Sequence, residues 1–275
     1  MKNSKDLKVL HVCNIAAVPQ TLAKYQRKFG YEADLIEREV FGMPGVTNVF
    51  PDAVYVTSNS PKVFAFKTLM MARKYDIIHV HSFDKIIPYL KKLYRRKKVV
   101  LTYHGSDIRE RWNIKQKYYQ KADIVTVSTP DLKENAPEGV IYVPNIVDED
   151  HFKRVNPYIP GTVIHINVGQ GHEQALESAI ETAKKRDLHL TVIDKSKYYF
   201  PYDIFPRFFE LFEYYDEVKV NIKRNEGWLY FLSLTALQML FLGGKVIFYG
   251  EDVTKFPKKH DAHIVTEKWI ELYRS

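Results

Sequence analysis

The sequence predicts an α/β protein of two domains, each built on a doubly wound parallel sheet. Three observations lead there. The chain has 275 residues, long for one ordinary domain and comfortable for two. Short, continuously apolar runs alternate with helical patterns through both halves, the signature of parallel strands covered on both faces. Finally, residues 141–152 read as a strand end, a turn opened by Pro144 and Asn145, and a short acidic connector ending at Phe152. These features place a first domain at 1–145, a linker at 146–160 and a shorter second domain at 161–275. Two such domains meeting at a hinge form a cleft, the usual place for a ligand in folds of this class.

In the first half the apolar run 8–13 is a buried-type strand, 19–29 an amphipathic helix ended by Gly30, and 33–36 a second strand. Helix 62–73, strand 77–80, helix 86–94 and strand 99–103 follow. A helix around 115–120 and strands 124–128 and 140–143 complete the half. The second half repeats the scheme with strand 163–167, helix 173–184, strand 190–193 and helix 205–214. Strand 218–222, helix 234–242, strands 245–248 and 263–265, and a last helix from Glu267 finish the chain. Phe205, Phe208, Phe209 and Phe212 recur at helical spacing and read as a core stripe. Tyr198, Tyr199, Phe200 and Tyr202 precede that periodicity and read as surface aromatics.

Composition narrows the partners. There are 41 Lys and Arg against 33 Asp and Glu, a net charge of +8, which favours anionic partners without naming one. The single cysteine, Cys13, has no disulfide partner, which suits a reducing compartment and excludes a thiolate metal site. With no amino-terminal apolar leader and no run of about 18 apolar residues, the expectation is a cytoplasmic protein, peripheral at most on the inner face of a membrane. The cluster Lys91, Lys92, Arg95, Arg96, Lys97 and Lys98 is either a solvated helix end or a patch for an anionic membrane surface. No recognised module accompanies it, so no nucleic-acid partner is expected.

Two segments carry candidate chemistry. His104-Gly105-Ser106-Asp107 follows a strand and belongs at the carboxyl rim of the sheet, with Asp107 either capping the next segment or holding Arg109. His79 and His81 are expected on opposite faces of their strand, His81 nearer the rim. Ser233-Leu234-Thr235 opens an apolar helix; Ser233 or Thr235 is an N-cap there, which is compatible with anion binding by the free helix amides.

Several segments together resemble the retaining, nucleotide-sugar-dependent glycosyltransferases of the GT-B fold (family 4-like). They are Asp76-Ile-Ile-His-Val-His-Ser82, Leu101-Thr-Tyr-His-Gly-Ser-Asp107, Ala122-Asp-Ile-Val-Thr-Val-Ser128, Val143-Pro-Asn-Ile-Val-Asp148 with Phe152, and Ser233 to Gly243 running into Lys245-Val-Ile247. The resemblance implies two Rossmann-like domains facing across a cleft. It also implies transfer of a hexose from a donor such as UDP- or GDP-hexose to a carbohydrate or lipid-linked acceptor, with retention and without a metal or other cofactor. On it, His104 lies near the donor sugar as the catalytic candidate. Ser233, Leu234, Thr235, Gln238, Glu226 and Arg224 belong to the donor side, and Asn14, Ile15, His81 and Asp107 to the acceptor side.

The departures have consequences. Gln238 stands where the family has a ribose-binding glutamate, and the family's first glutamate position is Tyr230. Val168-Gly-Gln-Gly-His172 replaces an arginine and lysine that neutralise the diphosphate, leaving Arg224, Lys195 or Lys197 to do so. The first strand-to-helix turn lacks the usual glycine pair. Gln238 and the 170–172 segment favour a second reading, a non-catalytic nucleotide or carbohydrate binder or an assisting subunit.

Overall fold

The computed structural model describes residues 7–38, 54–57, 59–167, 173–194, 205–217, 232–248 and 250–275. They form two compact units: unit 1 comprises Met1–Ile146 with Lys259–Ser275, and unit 2 Val147–Lys258. Unit 1 runs β1 (Lys8–Val12), α1 (Val18–Lys28), β2 (Glu32–Arg38), β3 (Val54–Thr57), α2 (Pro61–Ala72), β4 (Ile77–His81), α3 (Ile87–Leu93), β5 (Lys98–Tyr103), α4 (Trp112–Tyr119), β6 (Ile124–Val127) and β7 (Ile141–Tyr142). Its seven strands lie in the order β3-β2-β1-β4-β5-β6-β7, and every pairing is parallel. Strand order therefore reverses between β1 and β4, which is where a sheet of this kind opens a crevice at its carboxyl edge.

Unit 2 runs β8 (Ile159–Asn167), α5 (Glu173–Lys185), β9 (His189–Asp194), α6 (Phe205–Phe209), β10 (Phe212–Glu217), α7 (Leu234–Phe241), β11 (Lys245–Phe248) and β12 (Glu251–Val253). The strand order is β12-β11-β10-β8-β9, parallel except for the β11–β12 hairpin. The expected linker is no loose tether: Val147 and Phe152 are fully buried in the core of unit 2 with Ile164, Phe209, Leu237 and Val246.

Two expected elements differ. Helix 205–214 ends at Phe209, and Phe212-Glu-Tyr-Tyr-Asp-Glu217 becomes β10, because aromatic residues suit a half-buried strand and β8 and β11 supply its ladder on both sides. The four phenylalanines still enter the core, although from a helix and a strand together. Strand 263–265 is instead the first turn of α8 (Ala262–Arg274), which begins well before Glu267. Asp261 caps it, accepting from His263 N at 2.9 Å and Ile264 N at 3.1 Å. Strands β3 and β12 had no counterpart in the sequence reading, and the expected strand 218–222 lies outside the described residues, as do Tyr198, Tyr199, Phe200 and Tyr202.

Helix α8 belongs to unit 1, not to the domain expected to extend to residue 275. Its buried residues Ala262, Val265, Thr266, Trp269, Ile270 and Tyr273 form one helical stripe. Lys98 Nζ donates to the Tyr273 carbonyl at 3.0 Å, placing a cation at the helix carboxyl end. Trp269→Ala should therefore destabilise the chain by about 3–5 kcal/mol, read from the denaturation midpoint. A loss under about 1 kcal/mol would mean that α8 is not part of the core.

Candidate functional site

Unit 1 places a polar stripe across its sheet. Parallel register aligns His11 of β1 with His79 of β4, His81 with Thr102 of β5, and Thr102 with Thr126 of β6. His79 and His81 share one face, contrary to the expectation of opposite faces, because residues two apart in a strand point the same way. Their ring centroids are 4.0 Å apart. The stripe is covered by Gln26 of α1 and by Trp269 and Tyr273 of α8.

Burial in a water-poor interior requires every imidazole nitrogen to find a partner. His11 is held by Gln26 Oε1 at 2.9 Å and His81 Nε2 at 3.1 Å. His79 is held by Tyr273 Oη at 2.7 Å and Thr102 Oγ1 at 2.6 Å. His81 reaches His104 Nε2 through its Nδ1 at 3.0 Å. His11, His79 and His81 present nitrogens within 4.8 Å of one another, the spacing of a metal triad. Yet all six of their ring nitrogens already engage protein groups, so a cation would have to displace those hydrogen bonds. Burial lowers the His11 and His104 pKa values to about 4 and holds His79 and His81 well below the usual range, assisted by neighbouring histidines.

His104 stands at the carboxyl end of β5, half-buried. Asp107 holds its loop, accepting from His104 N at 3.0 Å, from Gly105 N at 2.6 Å and from the Ser82 hydroxyl. It neither caps a following helix nor holds Arg109, which pairs with Asp131 instead. A Cβ at Gly105 would meet nothing within 4 Å, so packing does not demand that glycine.

Beside His81 and His104 lie the turns after β1 and β4, the two strands that flank the reversal of order. Cys13, Ala16, Ala17 and Ser82 all adopt positive φ. The glycine-free turn thus takes left-handed geometry with ordinary residues, a strain that concentrates at functional turns. Asn14 Nδ2 donates to Gln20 Oε1 at 3.1 Å. This leaves Asn14 Oδ1 and Gln20 Nε2 buried without hydrogen-bond partners, while Ile15 beside them is half-buried. Burial raises the Cys13 thiol to about 11, which makes it a poor nucleophile.

In unit 2, Ser233 is the N-cap of α7, its Oγ accepting from Ala236 N at 3.1 Å. Leu234 and Thr235 follow half-buried, and Gln238 is buried. The sequence reading missed Glu217 at the end of β10: both its oxygens accept from Ser233 N, at 3.1 Å each. A buried carboxylate therefore already sits at this helix start. Arg224, Glu226, Tyr230, Lys195, Lys197 and the 168–172 segment lie outside the described residues. Of the basic cluster, Lys91 pairs with Asp123 at 2.8 Å, Lys97 donates to the Arg73 carbonyl at 2.7 Å, and Lys98 serves α8. Lys92, Arg95 and Arg96 remain exposed, together with Tyr89 and Leu93. No helix among the described residues is long and apolar enough to cross a membrane.

Residues 15–151 match the family model of Glycosyltransferase Family 4, a match that spans the greater part of unit 1. No curated protein matches the chain. Solved structures with similarity include CalG4, the calicheamicin glycosyltransferase, at 12% identity and TM-score 0.41, covering 70% of this chain and 66% of that one. TarM aligns at 12% identity and TM-score 0.43, over 77% of this chain and 51% of its own. LpCGTa, solved in complex with UDP, aligns at 10% identity and TM-score 0.46, over 95% and 83%. The chain thus spans less than two thirds of the first two.

The buried histidines set a pH dependence. His11 and His260, both buried, have folded pKa values of about 4 against 6.5 when unperturbed. Between those values the unfolded chain binds protons that the folded chain refuses, so stability falls as pH drops. Each contributes a slope approaching about 1.4 kcal/mol per pH unit. Urea midpoints measured from pH 7 to pH 5 should fall, most steeply below about 6.5, and a flat profile would contradict the neutral burial of these rings.

Proposed function

We propose, from the match of the greater part of unit 1 to the Glycosyltransferase Family 4 model, that the chain transfers a hexose from a nucleoside diphosphate sugar to a carbohydrate or lipid-linked acceptor with retention. The observation that carries this reading is the rim at β1, β4 and β5. There His104 presents a neutral ring beside strained turns and the unpartnered amide atoms of Asn14 and Gln20. Loss of the leaving diphosphate builds positive charge on the sugar and negative charge on the phosphate. A neutral imidazole at such a centre accepts a hydrogen bond from a sugar hydroxyl without adding positive charge. Asn14 and Ile15 belong to the acceptor side of that rim.

The diphosphate is assigned to the start of α7, where the Leu234 and Thr235 amides make no hydrogen bond to protein among the described residues. In this reading no metal is needed, because helix amides meet the phosphate charge. Glu217 opposes it locally and tunes affinity downward. The exposed Tyr89, Lys92, Leu93, Arg95 and Arg96 are assigned to an anionic membrane surface when the acceptor is lipid-linked.

Three outcomes follow from these assignments. A thermal-shift panel of nucleotides and nucleotide sugars should find at least one UDP or GDP donor that stabilises the chain, by about 2.7 kcal/mol at a hundredfold excess over Kd. Silence across the panel would overturn the reading. Glu217→Gln should tighten nucleoside diphosphate binding by roughly severalfold, since it removes a like charge, and unchanged or weaker binding would move the phosphate elsewhere. Vesicles containing anionic lipid should cosediment the chain and release it in salt or in an Arg95→Glu, Arg96→Glu variant; equal binding to neutral vesicles would remove the membrane assignment.

A further inference from the structure

The hydrogen bonds of the buried stripe join into one chain, and the carbonyl at its far end favours one direction through it. Thr126 Oγ1 lies 3.4 Å from the Leu101 carbonyl, which can only accept. The Thr126 hydroxyl therefore donates there and accepts from the Thr102 hydroxyl, 2.7 Å away. Thr102, having given its proton, accepts from His79 Nε2–H at 2.6 Å. A neutral imidazole protonated at Nε2 has a bare Nδ1, and His79 Nδ1 accordingly accepts from the Tyr273 hydroxyl at 2.7 Å. The Tyr273 oxygen then accepts from Gln26 Nε2 at 3.2 Å. Gln26 Oε1 accepts from His11 Nε2–H at 2.9 Å, His11 Nδ1 from His81 Nε2–H at 3.1 Å, and His81 Nδ1 from His104 Nε2–H at 3.0 Å. The amide of Gln26, oxygen toward His11 and nitrogen toward Tyr273, obeys the same direction.

We propose that this chain locks His104 as the Nε2–H tautomer, with Nδ1 a bare acceptor at the sheet rim, so that the ring receives a hydrogen bond from a substrate hydroxyl while its one N–H is spent on His81. The role of the hydroxyl rests on the function proposed above; the tautomer does not. His81, His11, Gln26, Tyr273, His79, Thr102 and Thr126 are positioning residues, acting on substrate only through His104. Reversing the chain would turn the Thr126 hydroxyl onto Thr102 and give up its bond to the Leu101 carbonyl. Neutral burial of the rings agrees with this, because a second proton on His11 or His81 would place two imidazole donors nose to nose.

The chain makes a non-local demand that local packing does not: all four histidines share one tautomer, and removing a hydroxyl at β6 changes a ring at the end of β5. Long-range proton–nitrogen correlation spectra of the full chain, labelled with nitrogen-15 histidine, read this directly. The expected wild-type result is protonated Nε2 and bare Nδ1 for His11, His79, His81 and His104. Thr126→Val should populate both tautomers in all four rings. Tyr273→Phe, which cuts the chain midway, should mix the tautomers of His11, His81 and His104 while leaving His79 single. Ser128→Ala, which removes a hydroxyl bonded to the His104 carbonyl and not to its ring, should change none. A protonated Nδ1 on His104 in the wild type, or single unchanged tautomers in a folded Thr126→Val or Tyr273→Phe protein, would overturn the proposal. Titration with the stabilising nucleotide sugar should then shift His104 Nδ1 alone among the four rings. An unresponsive Nδ1 beside the expected tautomers would reject the substrate contact and with it the proposed function, while the chain itself would stand.

Discussion

Unit 1 depends on one constraint: three imidazoles gathered under two helices must satisfy their nitrogens from protein groups, since little water reaches them. A single polar residue in an apolar strand needs one partner. Here His11, His79 and His81 lie so close that each must serve its neighbours, and the remaining demand falls on Gln26 and Tyr273. This explains why α8 returns to unit 1. Its apolar stripe covers the sheet, and its tyrosine hydroxyl links the half of the chain on His79 to the half on His11. Without that helix the stripe would lose both its cover and its continuity.

Much of the architecture was legible from sequence because it rests on local pattern. Continuous apolar runs marked β1, β2, β4, β5 and β6, and α7 declared itself through Ser233 and an apolar face. Failures came where the decisive signal was tertiary or misread. Phe212–Glu217 has helical spacing with the preceding phenylalanines, but neighbouring strands claim it. Ile264 and Val265 are apolar and β-branched, and only the Asp261 cap, read together with Trp269 and Tyr273 at helical spacing, reveals a helix.

The site was legible in part. His104 and Asp107 could be placed at the rim because they follow a strand, yet the role of Asp107 in pinning its own loop and Ser82 depends on a neighbouring turn. His11 was overlooked although it interrupts an apolar strand as His79 and His81 do, and that shared interruption was the available signal. Gln26, Glu217 and Tyr273 carried no comparable mark, for their importance arises from what the fold brings beside them. In the proposed function Glu217 matters most, because a carboxylate on the cap amide of α7 weakens the field that a helix start would offer to phosphate.

The central claim is that the ring at the end of β5 stabilises a sugar as its bond to a nucleotide breaks. Release of UDP or GDP from the stabilising donor, followed at saturating concentration for the wild type and for His104→Ala, tests it most directly. The account predicts measurable turnover by the wild type and a loss of roughly tenfold or more in the variant, at least the worth of one hydrogen bond, with a donor KM nearly unchanged. Equal turnover by the two proteins would contradict it.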